Sequence, residues 1–283
     1  MSIQPPSSRR KKVGFGILYF AVAVGVAVFL GMVAQKLRSD SQLHQCQDNL
    51  RLIEIGFLNY HDAFKHFPPA ITRDADGKPM HSWRISLVPF LQSGPTYSLY
   101  NKKEPWNGPN NSKLTDQMPE WYRCPTSTGG PYETNDVVVV GDQTAFPGCR
   151  AISFREITDG TSKTITVVEV ANSGIPWLEP RDLSLEEALK GINPKDDHGL
   201  CISSNHPGGA NVGYGDAHVE FLENSTTPEK LKKLLTINDD YEPRISGGAT
   251  ETRLRPPGYE GRRPKILTDR KTSRSPPIAT PKE

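Results

Sequence analysis

Several motifs of known chemistry are missing from this 283-residue chain. Its four cysteines, Cys46, Cys124, Cys149 and Cys201, include no Cys-x-x-Cys pair, which argues against a zinc ribbon or a thioredoxin-type redox site. No Gly-x-Ser-x-Gly elbow marks a hydrolase nucleophile. No Gly-Lys-Ser/Thr loop opens a helix, so a nucleotide phosphate has no cradle. The nearest candidate, Asp159-Gly160-Thr161-Ser162, precedes the β-branched run TITVVEV and reads as a turn. Charge is missing from one stretch altogether. Residues 13–34, 22 in all, carry none. As a helix they span ~33 Å, enough to cross a bilayer core.

The charges that are present sort by region. Arg9, Arg10, Lys11 and Lys12 precede the apolar run and should stay in the cytoplasm. The run is longer than the apolar core of a cleaved secretory signal, so an uncleaved anchor is expected. Residues 244–283 hold ten Lys/Arg against four Asp/Glu. With the whole chain at +2, the stretch between anchor and tail carries about −8, which argues against a nucleic-acid partner.

After the anchor, Leu43, Cys46, Leu50, Ile53, Phe57, Tyr60 and Phe64 recur at alternating spacings of three and four. That is one face of a long amphipathic helix continuous with the anchor. Phe67-Pro68-Pro69 forces an extended exit. SWRISLVPFLQ reads as a second helix, with Ser82 as cap and Trp83, Leu87 and Leu91 inward. Strands are expected at 137–140, 164–170, 200–204, 210–214 and 218–222, and a short helix at 183–189. Thr227-Pro228-Glu229 opens a last helix reaching Leu235. From 246 onward large apolar residues are nearly absent, and a disordered basic tail is expected.

Asn205, His206, Asn211, Asp216 and His218 form the richest polar cluster. Its residue types suit a metal or acid–base site. The alternation of Val212 with Tyr214 and of Val219 with Phe221 makes a β-hairpin the stronger reading, with Gly215-Asp216 supplying the turn. Ala217 is then expected outside the positive-φ positions. His61 and His66 are five apart and share no helix face, so they make a poor metal pair. The four tryptophans read as core or loop anchors, with an aromatic carbohydrate groove as the competing reading. In an exported setting four cysteines allow two disulfides in any of three pairings.

Several segments together resemble a large domain-of-unknown-function family abundant in planctomycete bacteria. They are CQDNLRLIEIGFLNYHDAFKHFPPA from Cys46, SWRISLVPFL, EPWNGPNN, YRCP, TAFPG, FREITDGTSKTITVVEV and HPGGANVGYGDAHVEFL from His206. The family's C-terminal signature, linked to prepilin processing, is His, nine residues, then Asp-Gly. Here it runs from His206 to Asp216, with Ala217 in place of the glycine. Members often open like pilins, with an acidic residue at the fifth mature position. After a cut at Gly14-Phe15 that place is Tyr19, so assembly into a filament is not expected. The resemblance also implies that Cys149 and Cys201 are additions particular to this chain, and hence a Cys149–Cys201 disulfide.

The expected architecture is α+β: a long N-terminal helix, half transmembrane and half amphipathic, packed on a mostly antiparallel, pilin-like sheet. The parts are a cytoplasmic tail (1–12), a transmembrane helix (13–34), an extracytoplasmic head (35–245) and a disordered tail (246–283). His206, Gly208, Gly209, Asn211 and Asp216 are expected to be structural. No catalytic residue, metal or cofactor is called for. The chain is expected to sit in the inner membrane, N-terminus inside, as a non-catalytic envelope protein. Its partners would be the bilayer and other envelope or pilin-like proteins. The competing reading is a module that captures a sugar, a peptide or a metal ion.

Overall fold

A computed structural model describes residues 9–91, 96–195 and 199–238, with side chains from Tyr19 onward. The basic C-terminal tail and the first eight residues lie outside them. The fold is α+β, as expected.

The first element, α1 (Arg9–Phe64), is one helix of 56 residues. Its described N-terminal part exposes apolar side chains: Tyr19 is 82% exposed and Phe29 61%. By length and composition it can cross a membrane. Further along, Cys46, Leu50, Ile53 and Phe57 are buried, at the spacing the sequence predicts. Tyr60 is only half-buried, and Phe64 is exposed. The helix ends at Lys65, whose φ of 66° breaks the helical path while its N–H still reaches His61 O at 2.7 Å. Phe67 then packs edge-on against Phe57.

A hairpin follows, β1 (Ile71–Arg73) with β2 (Pro79–Ser82), around the loop at Asp74–Gly77. The Ser82 side chain accepts the Arg84 N–H and caps α2 (Trp83–Leu87). Trp83, Leu87 and Leu91 are buried as expected. After α3 (Thr96–Leu99), the chain makes short 3-10 turns at Asn111–Gln117 and Glu120–Tyr122.

The main sheet comprises β3 (Asp136–Val140), β4 (Ile165–Glu169), β5 (Leu183–Ser184), β6 (Gly209–Tyr214) and β7 (Val219–Glu223). Its order is β5-β3-β4-β6-β7, antiparallel except for the β3–β5 pair. One face packs with Leu50, Ile53, Phe57 and the loops. The other face, with Val137, Val139, Val168 and Val212, is covered by α4 (Leu185–Ala188) and α5 (Pro228–Leu235). Burial on both faces explains why β3 and β4 read as unbroken β-branched runs. The strand expected at 200–204 is reduced to a single bridge, Ile202 with Ile192.

Two buried polar features fasten the layers. Arg84 is fully buried and pairs with Asp182 at 2.6 Å, while Asp182 also accepts from Trp83 Nε1 and Val138 N. Arg84 donates further to Asp136 O and Ser82 Oγ. On α1, Glu54 is fully buried beneath β4 and β6 and accepts from Thr166 Oγ1. Its other oxygen has no hydrogen-bond partner among the described residues. Burial pushes this carboxyl well above its usual range, against the lowering effect of the Thr166 bond.

Candidate functional site: a buried cysteine, histidine and carboxylate cluster

Four segments distant in sequence meet on the α1 face of the sheet. The buried stripe of α1 brings Cys46. The turn after Tyr122 brings Cys124, whose backbone N–H is held by Asn135 Oδ1 at 3.0 Å. The end of β4 brings Glu169, and the loop entering β6 brings His206. Ligand-type atoms of these four residues lie within 4.8 Å of one another, and all four residues are buried.

The sulfurs of Cys46 and Cys124 form a disulfide across 78 residues, with Cα atoms 5.4 Å apart. This corrects the expected Cys149–Cys201 pair: neither residue is disulfide-bonded, Cys149 being exposed and Cys201 buried. Position in the fold, not how unusual a cysteine is, decides the pairing. Cys46 occupies the buried stripe of α1, and Cys124 lies two residues after the fully buried Tyr122, whose hydroxyl donates to Arg84 O.

His206 Nε2 lies 3.2 Å from Cys46 Sγ and 3.4 Å from Cys124 Sγ. Its backbone N–H is held by Ser204 Oγ at 3.0 Å. Burial lowers the imidazole's proton affinity. Asn211 donates to Glu169 Oε2 through its backbone N–H (3.3 Å) and its Nδ2 (2.9 Å). Among the described residues Glu169 Oε1 is buried without a hydrogen bond of ordinary length. Burial outweighs the Asn211 bonds and the Ser204 side chain, and pushes the Glu169 carboxyl up to about 7. Its cross-strand neighbour Asp136, also buried, lines the same narrow gap. Burial, then the nearby Glu169, raise its carboxyl as well.

The remaining motif residues shape the hairpin. Gly208 has φ +97°, and at Gly209 a Cβ would lie 2.0 Å from Leu222 O, so that position excludes any side chain. Asp216 and His218 are exposed at the far end of β6, joined by a 2.5 Å contact. The hairpin therefore separates the motif's polar residues: His206 and Asn211 join the buried cluster, and Asp216 and His218 do not. Asn205 donates to Thr126 O at 2.8 Å. The turn also differs from expectation. Ala217 N–H bonds Tyr214 O at 2.8 Å, Tyr214 N–H bonds His218 O at 3.0 Å, and Ala217 itself has φ 70°. This is a three-residue hairpin loop ending in a left-handed residue, the position where glycine is favoured. Gly215 is not the residue that takes positive φ.

His61 and His66 have separate partners: His61 Nε2 accepts the Phe154 N–H, and His66 Nδ1 lies 2.8 Å from Phe67 O. Trp83 and Trp177 are fully buried, so they line no open groove. A different aromatic cleft of about 460 Å³ lies beside the end of α1, walled by Tyr60, Phe64, Phe90, Tyr97 and Tyr100. His81 sits in it, with Nδ1 2.8 Å from Tyr100 Oη and Nε2 3.1 Å from Lys102 O.

The buried cluster could not be assembled from the sequence. Cys46 and His206 are 160 residues apart, and no local spacing links them. Comparisons with curated proteins and with solved structures give no match. Over residues 43–150, which include both disulfide cysteines, the chain is similar to a family described as "Protein of unknown function (DUF1559)".

Proposed function

We propose that this protein is a membrane-anchored envelope protein whose head is a non-catalytic, pilin-like structural or interaction domain. The observation that carries the reading is α1: one helix exposes an apolar N-terminal part and buries the face through Cys46, Leu50, Ile53 and Phe57 in the head. A head built on a helix that continues into the bilayer is held at a fixed distance from the membrane. The Cys46–Cys124 bond adds a covalent tie between that helix and the head. The block Arg9–Lys12 favours an N-terminus inside and a head in the envelope. Tyr19 offers no charge at the place where pilins carry an acid, so the protein stays a single-pass stalk in the inner membrane.

Fractionation with mass spectrometry of the native N-terminus tests this. An intact leader in the membrane fraction is the expected result. A mature chain beginning at Phe15, recovered from sheared extracellular filaments, would overturn it.

A second reading, capture of a sugar or peptide, is favoured by the aromatic cleft at Tyr60, Tyr97 and Tyr100. Saturable binding of an oligosaccharide to the full-length protein, abolished by Tyr97→Ala, would support it.

A further inference from the structure

The disulfide accounts for the two sulfurs but not for what surrounds them. A disulfide needs neither an imidazole nor a carboxylate. Yet His206 Nε2 stands 3.2 and 3.4 Å from the two sulfur atoms. Glu169 presents one oxygen held by Asn211 and one buried oxygen with no hydrogen bond of ordinary length among the described residues, the Ser204 side chain also acting on the carboxylate. Burying such an atom is costly unless something satisfies it. Asp136 lines the same gap, which has no room for a water molecule. A dehydrated cation bonded to several of these atoms needs less room than a water does.

The distances fit one coordination geometry. In a tetrahedral zinc site, with Zn–S about 2.3 Å and Zn–N about 2.0–2.1 Å, neighbouring sulfur and nitrogen ligands lie about 3.5 Å apart. The two His206–sulfur distances are within a few tenths of that value. Thiolate and imidazole are the donors zinc takes, and a carboxylate oxygen completes the four. Asn211 on Glu169 Oε2 is the kind of outer contact that aims a ligand, leaving Oε1 for the ion.

We propose that Cys46, Cys124, His206 and Glu169 bind one zinc ion when the Cys46–Cys124 pair is in its dithiol form. The disulfide and the zinc site exclude each other. Tetrahedral thiolates stand about 3.8 Å apart, far beyond an S–S bond. Conversion needs a two-electron reductant. With a phosphine and water, the S–S bond breaks, each sulfur gains a hydrogen, and the phosphine leaves as its oxide. Zinc then displaces the two thiol protons. Both cysteines are buried, Cys46 4% and Cys124 5% exposed, so the pair is poorly placed for exchange with another protein's thiols. That leaves the ion as the partner the arrangement suits.

The test uses full-length protein in detergent, purified once under phosphine throughout and once under air, each dialysed against zinc. Alkylation of denatured samples counts the thiols. The expected result is one zinc per chain in the reduced sample and none in the oxidised sample. Cobalt in place of zinc should give the intense visible bands of a tetrahedral, thiolate-bound ion. His206→Ala and Glu169→Gln should weaken zinc affinity at least tenfold, with folding checked by circular dichroism. Cys149→Ser should leave it unchanged. Zinc held equally by a Cys46→Ser/Cys124→Ser variant would overturn the proposal. So would reduced, folded protein that takes up no zinc, or a cobalt spectrum without tetrahedral thiolate bands. A disulfide that persists under phosphine throughout purification would overturn it as well, because the dithiol form would not exist in the folded chain.

Discussion

Replacing Ala217 by glycine should stabilise this protein. Ala217 closes the β6–β7 turn with φ 70°, where an L side chain crowds its own backbone. That conformation costs a non-glycine residue roughly 1–2 kcal/mol. Glycine removes the cost but adds freedom to the unfolded chain, which takes back about 0.4–1 kcal/mol. The Ala217 side chain is only half-buried, so losing one methyl sacrifices little packing. The two hydrogen bonds of the turn are backbone bonds and survive the change. The net expectation is a gain of about 0.5–1 kcal/mol. Urea denaturation of the detergent-solubilised protein reads it as a higher midpoint with an unchanged slope. An unchanged or lower midpoint would refute the strained-turn argument.

Other consequences can be checked on the same preparation. Asp182→Ala leaves Arg84 buried without its partner and should lower stability by about 3–5 kcal/mol in urea melts. Gly209→Ala drives a Cβ into Leu222 O and should cost about 3 kcal/mol or prevent folding, seen as loss of soluble protein. Glu54 has its folded-state proton affinity raised, by burial first, so the folded chain keeps a proton that the unfolded chain releases. Stability should therefore fall as pH rises above the ordinary carboxyl range. Glu54→Gln should match the parent at acid pH and exceed it at pH 8. The Glu169 carboxyl acts in the same direction, its share of that stability being lost between about 4.3, the ordinary glutamate value, and about 7.

What the sequence made legible was whatever repeats locally. The three-and-four spacing of Cys46, Leu50, Ile53 and Phe57 marks a helix face because burial follows helical period. The runs in β3 and β4 stand out because both faces are buried. Ser82 and Thr227 announce their helices because a cap acts within three residues. What stayed hidden depends on partners far along the chain. Glu54 and Arg84 look like solvent-facing helix residues, and their partners Thr166 and Asp182 lie 112 and 98 residues away. The four residues of the buried cluster come from four segments, so no spacing exposes them. The turn was misplaced for a different reason. Gly215 offered positive φ at no cost, yet the hydrogen bonds between Tyr214 and Ala217 and between Tyr214 and His218 put that conformation on Ala217.

The central claim is that α1 leads from a cytoplasmic N-terminus through the membrane into an outward-facing head. Cys149 is exposed on that head, so the native chain carries its own reporter. Spheroplasts expressing the protein can be treated with a membrane-impermeant maleimide, beside a Cys149→Ser variant carrying Ser7→Cys. The account predicts labelling of Cys149 in intact spheroplasts, and labelling at position 7 only after detergent opens the membrane. Labelling at position 7 in intact spheroplasts, with Cys149 protected, would contradict it.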